Sequence, residues 1–259
     1  MKITVLLENS SCREDLHAKH GLSLWIETGD QRILFDMGPD DSFARNADRL
    51  GIDLGTADLA ILSHGHYDHG DGIPCFIGRN DQAPIYAHPD VFGSYWHGKD
   101  KYIGLSPEAS SCTRLQLTGD EYSLGMSMTL YSCRGWKEME AIRAYGLTVR
   151  EEGSFRPDDF THEQYLLIEE AGKRILISGC SHKGIVNLVH WFHPDVVVGG
   201  FHFKSMKDMD KARQAAQYLR DSGAMFYTGH CTGEEAYLCI KEIMGDRLQP
   251  LSTGSIIEC

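Results

Sequence analysis

A chain of 259 residues with 42% hydrophobic and 24% charged side chains has the composition of one large globular domain. Its net charge of −12, from 25 basic and 37 acidic residues without a Lys/Arg cluster, argues against nucleic-acid and membrane partners. No apolar run approaches the ~18 residues of a membrane helix, "MKITVLLENS" is too short an apolar start for a signal peptide, and eight cysteines without a CxxC spacing are expected to be reduced thiols in the cytoplasm.

In chain order, "KITVLLE", "LSLWIET" and "RILFDMG" predict strands, the last two joined by a hairpin through Gly29-Asp30. "SFARNADRLGIDL" predicts a helix. "ADLAILSH" is a buried strand that leads into "SHGHYDHG", and "GIPCFIGRN" opens a helix after it. "APIYAHPDVF" reads as a strand and the start of another helix. Residues 93–113, rich in Gly, Ser and aromatics and without periodicity, read as an insertion, either a lid or a plain surface loop. In the second half, "GMSMTLYS", "QYLLIEE" and "KRILISGC" are strands. Helix "KGIVNLVHWF", strand "DVVVGGFHF", helix "KDMDKARQAAQYLRDSG", strand "AMFYTGHC", helix "GEEAYLCIKEIMG" and strand "STGSIIEC" follow. Alternating strands and helices predict an α/β architecture, and no linker divides residues 1–259.

Crowding imidazoles brings no packing benefit, so His64-x-His66-x-Asp68-His69 after a buried strand points to metal. His64 and His66 can serve one cation, Asp68 and His69 a second. Neutral imidazole and carboxylate suit zinc first, with iron or manganese as alternatives. Two divalent ions bridged by water make a hydroxide nucleophile near neutral pH. Asp68 is therefore expected to be both ligand and catalytic residue.

That motif is the hallmark of the metallo-β-lactamase superfamily, and "ILFDMG", with Asp36, resembles the superfamily's early strand motif. "GLSLWIE", "SGCSHKGIVN", "GGFHF" and "GHCTG" look more like one branch, proteins related to a dihydropterin–ribofuranosylaminobenzene phosphate synthase. The resemblance implies an αββα sandwich of two sheets flanked by helices, with metals at one edge. It implies His182 and His230 as further ligands. It sets Cys180 where many members carry a bridging aspartate, so that a metal-binding thiolate and an inert thiol both remain open. His162, 18 residues before Cys180, stands near the place of another superfamily histidine; either it or His182 fills that role.

His202, in "VVVGGFHF", is expected at a strand end as a general acid, with metal binding or a structural role as alternatives. Asn9 and Asp36 end early strands and are expected either to orient ligands or to cap turns. His17, His20, His88, His97, His190 and His193 are expected to pack or face solvent, His97 being the best candidate substrate contact. The expected function is hydrolysis of a small ester, lactone, amide or phosphoester, anionic or pterin-like by resemblance. The alternative is a non-hydrolytic synthase or a metabolite sensor on the same scaffold.

Overall fold

Ile33 and Phe35 face one way along a strand and Leu34 the other, yet all are fully buried, so this strand is covered on both faces. Ile175 and Ile177 flank Leu176 in the same pattern in the second half of the chain. Such strands need a layer on each side, and the computed structural model, which describes residues 1–125, 127–206 and 208–259, supplies them.

The elements of the first half are β1 (Lys2–Leu7), β2 (Ser23–Glu27), β3 (Arg32–Phe35), α1 (Ser42–Leu50), β4 (Leu59–Ile61), α2 (Tyr67–Gly70), α3 (Ile73–Arg79), β5 (Ile85–Ala87), β6 (Tyr95–His97), β7 (Lys101–Tyr102), α4 (Pro107–Ser110) and β8 (Leu115–Leu117). Then come β9 (Glu121–Gly125), β10 (Met128–Tyr131), β11 (Leu147–Glu151), β12 (Ser154–Pro157), β13 (Tyr165–Glu170), β14 (Lys173–Ile177), α5 (Ile185–Phe192), β15 (Val196–Val198), α6 (Met209–Asp221), β16 (Met225–Thr228), α7 (Glu234–Met244), β17 (Leu248–Pro250) and β18 (Ile256–Glu258). Among the described residues, two seven-stranded sheets form, ordered β18-β1-β2-β3-β4-β5-β8 and β17-β16-β15-β14-β13-β10-β9.

Ile3, Val5, Ile33 and Phe35 meet Leu166, Ile168, Ile175 and Ile177 between the sheets. Phe43 and Phe76 of α1 and α3 cover the outside of the first sheet. Leu188, Leu219 and Ile240 of α5, α6 and α7 cover the second. These four layers are the expected αββα sandwich. β3 and β4 run parallel, as do β14, β15 and β16, and β1, antiparallel to β2, shares the direction of β3. The chain therefore leaves β1, β3 and β4 at one edge of the first sheet.

Three expectations need correction. The helix after "APIYAHPD" is only a 3₁₀ turn, Pro89–Phe92, entered through a cap in which the His88 ring accepts the Asp90 N–H. Residues 93–113 are not irregular: β6 and β7 join β11 and β12 in a four-stranded sheet, and α4 follows, its Ala109 packed in the cluster of Phe43 and Phe76. Nor does His202 end a strand. β15 stops at Val198, Gly200 N–H turns away to Gly179 O, and His202 caps a short 3₁₀ turn with φ 53°.

Candidate metal centre

β4 delivers the loop 62–66. Gly65 is required there, because a Cβ would meet Val91 O at 2.2 Å. The loop runs into α2, which presents Asp68 and His69. β14 delivers residues 178–182, β15 delivers 199–202, and β16 delivers 229–231. His66, Asp68, Cys180, His182, His202, His230 and Cys231 line one cavity of about 200 Å³. His64 and His69 are fully buried beside it, ring centroids 4.1 Å apart. The six histidine and aspartate ligands expected from sequence are thus brought together.

The surrounding hydrogen bonds fix the tautomers. Asp36 Oδ2 accepts from His69 Nδ1 at 2.7 Å and from Ser63 Oγ at 2.7 Å, and Asp36 Oδ1 accepts the Ser63 N–H. With its proton given to Asp36, Ser63 Oγ accepts from His64 Nδ1 at 2.8 Å. Asn9 Nδ2 donates to His230 O, which turns Asn9 Oδ1 toward His230 Nδ1 at 3.1 Å. In each ring Nδ1 is the donor, which turns Nε2 toward the cavity, as the ligating lone pair once any second proton has left. His69 Nε2 and His230 Nε2 nevertheless face each other at 3.1 Å, with Asp68 Oδ2 3.4 Å from His230 Nε2. Two imidazole nitrogens and a carboxylate converging on one point need positive charge between them, which a proton on His69 supplies and a metal cation can replace. Asn9 and Asp36 thus hydrogen-bond directly to candidate ligands.

His64 Nε2, His66 Nε2 and both ring nitrogens of His182 are buried without a hydrogen-bond partner among the described residues. Such atoms are costly unless something binds them. One donor each from His64, His66 and His182 lie within 4.8 Å of one another; so do those of His20, Asp68 and His230, and those of His64, His69 and Cys180. The residues present fit divalent cations. Burial, with neighbouring imidazoles, pushes His64 and His182 well below the usual histidine range and His66 down to about 3, which keeps them in the neutral, ligating form. Burial opposes charge on His69 too, but the Asp36 carboxylate outweighs it and raises His69 to about 9. A cation entering there displaces that second proton.

His162 comes within 4.8 Å of donors on His66 and Asp158, but both of its ring nitrogens are engaged. Nδ1 accepts the Gly65 N–H at 3.0 Å and Nε2 donates to Asp158 at 3.2 Å. It braces the motif loop, and His182 supplies the open nitrogens. The two residues after His162 act likewise. Glu163 Oε1 accepts the His182 N–H and Oε2 the Lys183 N–H. Gln164 donates to Leu62 O and its N–H to Ser63 O. Sequence reasoning missed this role because a bracing residue has no spacing rule and Glu163 stands among polar residues ahead of β13.

Further placements differ from or add to expectation. His20, expected to pack or face solvent, puts Nε2 3.2 Å from Asp68 Oδ2 and its ring 4.6 Å from that of His230. Burial alone would raise the Asp68 carboxyl; the His20 hydrogen bond and nearby imidazoles hold it well below its usual range. Glu8, also missed, accepts the His230 N–H. Cys180 Sγ lies 3.3 Å from His69 Nε2, and Cys231 Sγ accepts the His202 N–H at 3.3 Å. His97, the exposed end of β6, lies at the cavity wall together with Lys101 and Lys204.

The family model described as "Metallo-beta-lactamase superfamily" matches residues 18–222. An uncharacterized protein of Methanocaldococcus jannaschii is 29% identical over 254 residues, covering 93% of this chain and 94% of its own. A 7,8-dihydropterin-6-methyl-4-(beta-D-ribofuranosyl)-aminobenzene-5'-phosphate synthase of the same organism is 27% identical, covering 100% of this chain and 96% of its own. Among solved structures, Tm1679, a metal-dependent hydrolase of the beta-lactamase superfamily, superposes with a TM-score of 0.84 at 26% identity, covering 100% and 99% of the two chains. With that match across most of its length, on a four-layer sandwich whose strand ends meet at one cluster of lone pairs, the chain belongs to the metallo-β-lactamase superfamily.

Proposed function

We propose that the protein is a hydrolase dependent on two divalent cations, zinc first and iron or manganese as alternatives, acting on a small anionic ester, lactone, amide or phosphoester. The observation that carries this reading is the apposition of His69 Nε2 and His230 Nε2 at 3.1 Å beside Asp68, with further orphaned nitrogens on His64, His66 and His182. One position would be held by His64, His66 and His182, the other by Asp68, His69 and His230, with Cys180 adjacent to His69. Bound there, the cations supply Lewis acidity and lower the pKa of water.

The chain's own residues do the rest. Asp68, hydrogen-bonded to His20 and beside His230, orients the attacking oxygen. His202 lines the cavity with both ring nitrogens unpartnered among the described residues, so it is free to hand a proton to the leaving group. Tyr67, Ile103 and Leu147 wall the cavity against bulk water, and the β6–β7 insertion that carries Ile103 is read as its lid. Lys101, Lys204 and His97 at the wall give an anion a local partner on a chain whose net charge is −12. The cavity of about 200 Å³ suits a small molecule rather than a polymer.

The relative named as a synthase supports a second reading, a non-hydrolytic synthase on the same scaffold. Metal-loaded protein assayed on phosphodiesters, esters and lactones separates the two. Metal-dependent turnover of one class is expected; metal-loaded protein inert toward all three classes overturns the hydrolase reading.

A further inference from the structure

The strand ends after β14, β15 and β16 place a second kind of donor beside the histidines. Cys180 Sγ, Cys231 Sγ and a ring nitrogen of His202 all lie within 4.8 Å of one another. A tetrahedral zinc with Zn–S bonds of about 2.3 Å keeps its donors roughly 3.5–3.8 Å apart, so small side-chain movements suffice. Nothing satisfies the His202 ring: neither Nδ1 nor Nε2 has a partner among the described residues, although both atoms are buried. The backbone is shaped to this approach. A Cβ on Gly200 would stand 2.3 Å from Cys231 Sγ, so only glycine lets the chain pass that thiol on its way to His202.

We propose that Cys180, His202 and Cys231 form a separate, sulfur-rich position for a soft cation such as Zn²⁺ or Cd²⁺, with the fourth coordination place open. Two thiolates and an imidazole prefer soft or borderline metals, whereas the carboxylate–histidine set also accepts harder ones. On the hydrolase reading above, filling this position removes His202 from the substrate. The two functions of the ring then exclude each other, and excess soft metal slows turnover.

The test loads chelator-stripped protein with Co²⁺, counts bound metal by equilibrium dialysis and follows the sulfur-to-cobalt charge-transfer band. Wild type is expected to bind roughly three equivalents, the band growing with the weakest. Cys231→Ser is expected to lose that equivalent and most of the band while keeping the other two. Wild type loaded to saturation without a sulfur band overturns the proposal, and this measurement needs no variant. A band lost in Cys180→Ser but unchanged in Cys231→Ser also overturns it, since Cys180 would then serve the histidine site alone. A sulfur band that depends on both cysteines in protein binding only one equivalent upholds the proposal and sinks the two-cation reading instead.

Discussion

At the scale of single residues, the site depends on side chains that never touch a ligand. Asp36 holds His69 and, through Ser63, His64 in the tautomers that expose Nε2. Asp36→Ala frees both rings and is expected to weaken metal binding by about 10–100-fold, measured by competition with a chromogenic chelator. Asp68 is different, since it lies in the cavity itself. Asp68→Ala is expected to abolish turnover with an unchanged circular dichroism spectrum; normal kcat/KM in the folded variant would remove Asp68 from the mechanism. His202→Ala is expected to keep the cations of the histidine–carboxylate set and lower kcat by roughly 10²–10⁴-fold. Loss of one of those equivalents would make His202 their ligand.

At the scale of elements, the segment from His162 to Gln164 ties β13 to two loops at once. Glu163 is fully buried, takes the N–H groups of His182 and Lys183, and also accepts from Tyr165 Oη. Lys183, only 3% exposed, donates to Ser132 O and Glu163 O, and burial lowers its pKa although the Glu163 charge opposes this. Glu163→Ala leaves the Tyr165 hydroxyl and two buried N–H groups without their acceptor and is expected to destabilise the fold by about 3–5 kcal/mol, read from the denaturant midpoint. The insertion of β6 and β7 is a second such unit. It is pinned where Gly104 bridges His66, and it carries His97, Lys101 and Ile103 to the cavity. Lys101→Glu is expected to raise KM for an anionic substrate and leave metal content untouched; equal loss in kcat with KM constant would mean that Lys101 does not meet the ground-state substrate.

At the scale of the whole molecule, the candidate ligands come from both sheets: His64, His66, Asp68 and His69 follow β4 of the first, His182 and His230 follow β14 and β16 of the second. Cations held between them fasten the two sheets at one edge. Metal at ~1,000-fold above its Kd adds about 4 kcal/mol, which for a chain of this length is roughly 10 °C in melting temperature. A calorimetric scan with and without chelator is expected to show that drop; coincident transitions would mean that no metal binds the native state. Among the described residues no helix is long and apolar enough to cross a membrane.

The strand–helix alternation and the first motif are legible in the string of residues alone, whereas the four layers were implied by resemblance. Short unbroken apolar runs in β3 and β14 and helical spacing in α5–α7 are local properties of the chain, and His64, His66, Asp68 and His69 fall within one short loop. The sequence also marked Asp36 and Asn9, because both directly follow strands. What only the tertiary structure decided is which distant residue meets which. Both His162 and His182 had suitable positions along the chain, but Gly65 N–H and Asp158 fill the ring of His162 and leave that of His182 open. His20 reads as a surface residue until β1, α2 and the 229–231 turn converge and bring Asp68 to it. Cys231 next to Cys180, 51 residues apart, is likewise a product of parallel strands ending at one edge. Covalent neighbours show their periodicity in a string of letters; hydrogen-bond partners across a sheet edge do not, because their pairing is set by register and packing of the folded layers.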